Sequence, residues 1–310
     1  MDIMVDVRNL SKKFHQFEAV KNLSFTVNKG DVYGFLGQNG AGKSTTLRML
    51  LNLIKPTIGE IYFLGKKIDD GSNELLQQTG AIIERPDMYK YLSAYDNLNI
   101  FAKLSGIKVT KKILMDQLEM VGLADRYKDN VKTFSQGMKQ RMGIAVALVH
   151  QPKLIILDEP TNGLDPQGIA DMRNLILRLS KEMGKTVIVS SHLLSEIEII
   201  ANRMIIIHKG QKIEEGEVAS LLDPANTLVE INTTDNNSTK QYLQTSKWGN
   251  YMQESNKNIK LRMNKTEVPQ LISDLSTNNT NLLSVQPRHS LEDYFLSLTN
   301  NDTHVEPFTN

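Results

Sequence analysis

The chain has 310 residues, 40% hydrophobic and 23% charged, which allows about two domains of ordinary globular composition. Lys plus Arg number 36 and Asp plus Glu 35, so the net charge of +1 gives neither a nucleic-acid footprint nor an acidic tail. No cysteine is present, which excludes disulfides, thiolate nucleophiles and Cys-ligated zinc and permits a reducing compartment. The longest apolar runs, such as Ile144–Val149, fall far short of the ~18 residues that cross a bilayer, and the N-terminus lacks the form of a signal peptide, so a soluble cytoplasmic protein is expected.

The first third predicts strands. Ile3, Val5 and Val7 alternate with polar residues, and Phe25 and Val27 do so again. Val32–Leu36 is a nearly continuous apolar run, expected of a strand buried on both faces. Glycines follow, then a helix expected over Thr45–Leu53, stopped by Lys55-Pro56. From about Tyr91 to Val149 the period becomes helical: Leu98, Phe101 and Ala102 share a face, as do Leu114, Leu118 and Val121. Buried strands return at Leu154–Leu157, Thr186–Val189 and Met204–Ile207. Strands alternating with helices predict an α/β domain around a parallel sheet, with the helical stretch, about residues 88–150, as an insertion.

Composition shifts after residue 222. Asp223-Pro224-Ala225-Asn226 reads as a linker. Beyond it, Leu228–Ile231 and Ile259–Met263 read as strands and Val268–Leu275 as a helix. A small α+β domain is expected over 227–300 and a frayed tail over 301–310, with Trp248 read as core.

Gly37-Gln38-Asn39-Gly40-Ala41-Gly42-Lys43-Ser44 matches G-x-x-x-x-G-K-[ST] between a predicted strand and a predicted helix. Such a loop turns backbone N–H groups toward phosphate oxygens, and the helix start adds partial positive charge. Lys43 would meet the β- and γ-phosphates, Ser44 would offer a hydroxyl to Mg²⁺, and Thr45 continues the cradle. Leu154–Leu157 runs into Asp158-Glu159, two acids at the C-terminal end of a strand. Asp158 is the expected Mg²⁺ holder and Glu159 the expected general base. Together these motifs predict a nucleoside triphosphatase.

Phe134-Ser135-Gln136-Gly137-Met138 precedes an expected helix that Ser135 can cap, a second anion site. This segment resembles the signature of ABC transporter ATPases, usually L-S-G-G-Q, with Phe134, Gln136 and Met138 departing and Ser135 and Gly137 retained. The resemblance spans roughly residues 1–220. It implies a P-loop NTPase core with an N-terminal antiparallel β part and the inserted helical subdomain, residues 1–222 in all. It also implies roles: Phe14 stacking on adenine, Asp165 in a loop facing a partner subunit, and His192 as the switch histidine on the γ-phosphate. The family's usual Gln is here Glu84, implied to reach Mg²⁺ or a bound water. Residues Tyr91, Tyr95–Leu98 and Gly137–Arg141 are similar to the bacitracin-resistance and lantibiotic-immunity type of exporter subunit, as is Ser290–Leu296 at the end of the chain.

Resemblance to that type implies an ATP- and Mg²⁺-dependent ATPase at the cytoplasmic face of a membrane, powering export of an antimicrobial peptide, antibiotic or lipid-like substrate. It implies two copies head to tail, each ATP held between the Gly37–Ser44 loop of one and Ser135, Gln136 and Gly137 of the other. Coupling to separate permease subunits would pass through the Glu84 loop and the surface from Met88 to Tyr95. A soluble ABC ATPase of translation or DNA repair is the alternative; one cassette, no sustained heptads and balanced charge weigh against it. Intact Lys43, Asp158, Glu159 and His192 weigh against a non-hydrolysing regulator. The C-terminal domain is open between dimerisation, ligand sensing and a structural extension.

Overall fold

The computed structural model describes residues 2–69, 71, 77–84, 86–221, 225, 227–253, 258–278 and 280–289. Arg85, most of the expected linker, the segment Ser290–Leu296 and the expected tail lie outside them. The chain divides into two compact units, Met1–Glu217 and Val218–Asn310.

The first unit opens with β1 (Ile3–Phe14) and β2 (Phe17–Asn28), a long antiparallel hairpin. It is extended by β4 (Ile58–Phe63) and β5 (Lys66–Lys67) into a four-stranded sheet of order β2-β1-β4-β5. The expected alternation holds for Val5 and Val7, which are buried with Val7 opposite Phe25, but Ile3 is exposed and Met4 is buried in its place, where the pairing register shifts between Ile3 and Val5.

The second sheet holds β10-β9-β3-β8-β7-β6. Its strands are β3 (Val32–Leu36), β6 (Thr79–Ile82), β7 (Leu154–Asp158), β8 (Thr186–Ser191), β9 (Arg203–His208) and β10 (Gln211–Glu217). Neighbours from β9 to β6 pair in parallel, and only β10 is antiparallel. Every residue of β3, β7 and β8 is buried, which explains why these strands read as unbroken apolar runs. Such a sheet gathers ligands at the C-terminal ends of its strands. The chain leaves β3 for α1 (Lys43–Leu50), β7 for α5 (Pro166–Lys181) and β8 for α6 (Leu194–Ile200).

Gly34 in β3 lets α6 lie against the strand. A Cβ there would sit 2.3 Å from Ile197 Cγ2 and 3.2 Å from Met204 Cβ.

Between β6 and β7 come α2 (Ala94–Leu104), α3 (Lys111–Met120) and α4 (Gln136–Leu148), the inserted helical layer. Each starts on a side-chain cap: Ser93, Thr110 and Ser135 accept from the amide three residues on. Leu98, Ala102, Leu114, Leu118 and Val121 are buried as their period requires, while Phe101 is only half-buried. Each fully buried leucine contributes roughly 1.5–3 kcal/mol.

The second unit begins with α7 (Val218–Leu221). It continues through β11 (Thr227–Thr233), α8 (Asn236–Thr245), β12 (Met252–Gln253), β13 (Ile259–Met263), α9 (Val268–Thr277) and β14 (Leu282–His289). The four strands form an antiparallel sheet of order β12-β13-β11-β14. Val229, Ile231, Ile259 and Leu261 pack with Leu243 and Leu271 of the helices. Trp248 is 3% exposed and donates from Nε1 to Asp274 Oδ2 at 3.0 Å, so its polar edge is satisfied within the core.

Candidate functional site

Three chain exits build the site. After β3 the backbone turns through Gly37, Gln38, Asn39, Gly40, Ala41 and Gly42 into α1. Gly42 has φ +102°, and a Cβ there would lie 2.6 Å from the Ala19 carbonyl, so no other residue fits. Gly42 offers α1 no side-chain cap. The first amides of a helix have no intrahelical acceptor, so Lys43, Ser44 and Thr45 bring N–H groups and the positive end of the helix dipole to the loop. The expected helix start at Thr45 is two residues late, because the glycine turn leads straight into Lys43.

Lys43 is 5% exposed. Its Nζ donates to the Gly37 carbonyl at 2.5 Å and the Gln38 carbonyl at 3.2 Å, and forms an ion pair with Glu159 Oε1 at 3.1 Å. Glu159 follows directly on β7. Its other oxygen, Oε2, lies 2.7 Å from His192 Nδ1. One carboxylate thus joins the phosphate-loop lysine to the histidine beyond β8. Glu159 has φ +49°, a left-handed conformation that costs a non-glycine residue on the order of 1–3 kcal/mol and marks functional turns. Two bonds hold it: its amide donates to Ser190 Oγ at 2.9 Å, and its carbonyl accepts from the Asn162 amide at 3.1 Å.

Asp158 is 2% exposed, and its Oδ1 accepts from Ser190 Oγ at 2.5 Å. Ser190 therefore binds both acids of the pair, a role its sequence context did not signal. Asp158 and the half-buried Ser44 supply a carboxylate and a hydroxyl, hard oxygen donors of the kind that hold Mg²⁺ together with phosphate oxygens and water. Among the described residues no cluster of three or more His, Asp or Glu side chains could hold a metal alone, and a nucleotide-assisted Mg²⁺ site needs none.

Other expected site residues stand apart. Glu84 has φ +68° and forms an ion pair with Arg48 of α1; among the described residues it makes no bond to Ser44 or Asp158. Phe14 ends β1 and is 42% exposed, so it is no core residue; the Lys12 ammonium lies over its ring, 5.0 Å from the centroid. Asp165 caps α5, accepting from the Gly168 amide at 3.1 Å.

Ser135 and Gln136 are exposed at the start of α4, and Gly137 is half-buried beside them. None of the three bonds to Lys43, Glu159 or His192. Ser135 Oγ accepts from the Met138 amide at 3.2 Å. Gln136 Nε2 donates to the Asn162 carbonyl at 3.3 Å, so the residue that departs from the usual signature ties it to the loop beyond Glu159. Glu196, unremarked in the sequence, is a buried carboxylate on α6.

Residues 20–162 match the family model described as ABC transporter. The chain is similar to an uncharacterized ABC transporter ATP-binding protein, YhcH, of Bacillus subtilis (strain 168): 40% identical over 308 residues, 96% of this chain and 97% of the relative. It is 50% identical over 216 residues to the bacitracin transport ATP-binding protein BcrA of Bacillus licheniformis, which covers 69% of this chain and 70% of that one. Among solved structures it is similar to a dimeric ATP-binding cassette in a post-hydrolysis state bound to ADP and Pi. The TM-score is 0.63 at 27% identity, over 69% of this chain and 99% of the other.

Proposed function

This chain belongs to the ATP-binding proteins of ABC transporters, and on that premise we propose that it is the energy subunit of an exporter for peptide antibiotics of the bacitracin class. The substrate class rests on the half-identical bacitracin relative. The carrying observation is the single carboxylate of Glu159 between Lys43, at 3.1 Å, and His192, at 2.7 Å.

In this reading the Gly37–Thr45 loop and Lys43 hold the phosphates, and Phe14 takes the adenine face. Glu159 draws the proton from the attacking water, with its backbone held by Ser190 and Asn162 and its carboxylate between Lys43 and His192. His192 presents Nδ1 to Glu159 and keeps Nε2 for the γ-phosphate. Ser44 and Asp158 would hold Mg²⁺, which neutralises developing phosphate charge when bound. Ser135, Gln136 and Gly137 lie away from this cluster, which supports a head-to-tail dimer in which they meet the partner copy's nucleotide. A similar cassette is itself dimeric in its solved structure, which supports a two-copy assembly. Among the described residues no helix is long and apolar enough to cross a membrane. Separate permease subunits would supply the spans, and this chain would sit at the cytoplasmic face.

The test is co-expression with a permease encoded beside it and ATP turnover in vesicles. Stimulation by bacitracin is expected. Turnover without stimulation would remove the substrate class, and no turnover would remove the ATPase assignment.

Glu84→Gln is expected to keep ATP turnover within about fivefold, because the exposed pair with Arg48 contributes at most ~1 kcal/mol. Steady-state phosphate release checks it; complete loss would give that carboxylate a catalytic task.

A further inference from the structure

Glu196 is a buried acid that the hydrolysis scheme leaves unused. It lies on α6 at 5% exposure, where an ordinary core would carry an apolar side chain. A single oxygen, Oε2, accepts from two hydroxyls: Thr161 Oγ1 at 2.5 Å and Ser191 Oγ at 3.1 Å. These hydroxyls sit on the two loops that carry the reacting pair. Thr161 is two residues beyond Glu159, and Ser191 immediately precedes His192. Both are buried, at 8% and 1% exposure, so water cannot replace the acceptor easily. Ser191 Oγ in turn accepts from the Leu193 amide at 3.0 Å, which orients the backbone on the far side of His192.

The strained turn at Glu159 is thus fastened on both sides. Ser190 and Asn162 hold Glu159 itself, and Thr161 anchors the next step of the loop to Glu196. The same loop continues to Asn162, whose carbonyl receives Gln136.

We propose that Glu196 is a positioning residue: one carboxylate oxygen fixes the separation of the Glu159 loop from the His192 loop. The proposal rests on Glu159 and His192 being the hydrolytic pair. Glu196 touches neither of them and acts through Thr161 and Ser191. Nucleotide binding does not depend on it, because Lys43 and the phosphate loop are held by their own bonds.

The experiment uses the full-length chain, with steady-state ATP turnover and ATP binding by calorimetry measured on each variant. Glu196→Ala is expected to lower kcat by at least about tenfold, since small misplacements of reacting groups cost that much or more, with ATP affinity unchanged. Glu196→Gln keeps an acceptor oxygen and is expected to recover most of the loss. Thr161→Val removes one donor at nearly constant volume and is expected to lower kcat alone. Should Glu196→Ala fail to fold, Thr161→Val carries the test. Wild-type kcat in the variants overturns the proposal. So does an equal loss of affinity and kcat, or a Gln variant no better than Ala. Glu159→Gln is the control: if it hydrolyses ATP normally, the assignment of the pair fails. If it is inactive while Glu196→Ala and Thr161→Val are normal, only the positioning role fails.

Discussion

Glu159→Gln binds ATP as tightly as the wild type and hydrolyses it about 10²–10⁴-fold more slowly, the usual contribution of a general base. The amide has the shape of the carboxylate and keeps an oxygen for the contact now made with His192. It cannot take a proton from water. It also removes the negative charge 3.1 Å from Lys43 Nζ, which leaves the ammonium available to phosphate. Affinity is therefore preserved while turnover falls. Single-turnover hydrolysis and calorimetry separate the two, and the ATP-bound dimer persists on a sizing column. Turnover close to wild type would remove Glu159 from its role.

Lys43→Ala acts on the other side of the same contact. The ammonium is nearly inaccessible and is shared among the Gly37 carbonyl, the Gln38 carbonyl and Glu159. Phosphate oxygens replace some of these partners when ATP binds. Charge-assisted hydrogen bonds are worth about 1.5–3 kcal/mol, so ATP affinity falls roughly 10- to 150-fold. The variant also leaves Glu159 without its cation, which adds to the loss. Thermal denaturation gives a second reading. Saturating nucleotide at 100 times Kd stabilises the wild type by about 2.7 kcal/mol, whereas at the same concentration the variant gains only about 0.3–1.4 kcal/mol. Unchanged binding by calorimetry would contradict the assignment of Lys43.

What was legible beforehand was local. The phosphate loop is contiguous, and its glycines, lysine and serine announce their chemistry together. The buried strands β3, β7 and β8 announced themselves because both faces are covered, and the α/β class followed from their alternation with helices. Residues bonded across long sequence gaps were not legible. Ser190 reaches Asp158 over 32 positions, Thr161 reaches Glu196 over 35, and Glu84 meets Arg48 over 36. Each is an ordinary polar residue until the sheet brings the strand ends together. Glu84 shows the same limit: resemblance points it at a metal, while its pairing with Arg48 could not be read from the sequence. In the second unit, α8 escaped notice because Asn236–Thr245 is poor in helix formers; Asp235 compensates by accepting from the amides of Asn237 and Ser238.

The missing side chain of Gly34 has a genetic meaning. α6 rests on that bare stretch of β3, and even one methyl would collide with Ile197, the neighbour of Glu196. Either the Ile197 side chain or α6 itself would have to shift, and a shift of α6 would carry the loop bearing His192. Gly34→Ala is then expected to lower ATP turnover while leaving every motif intact. In a screen for cells that have lost export, it would score with the active-site alleles while an inspection of motifs passed it as harmless. The tolerance map of this cassette extends along the strand beneath the site, as well as around the nucleotide.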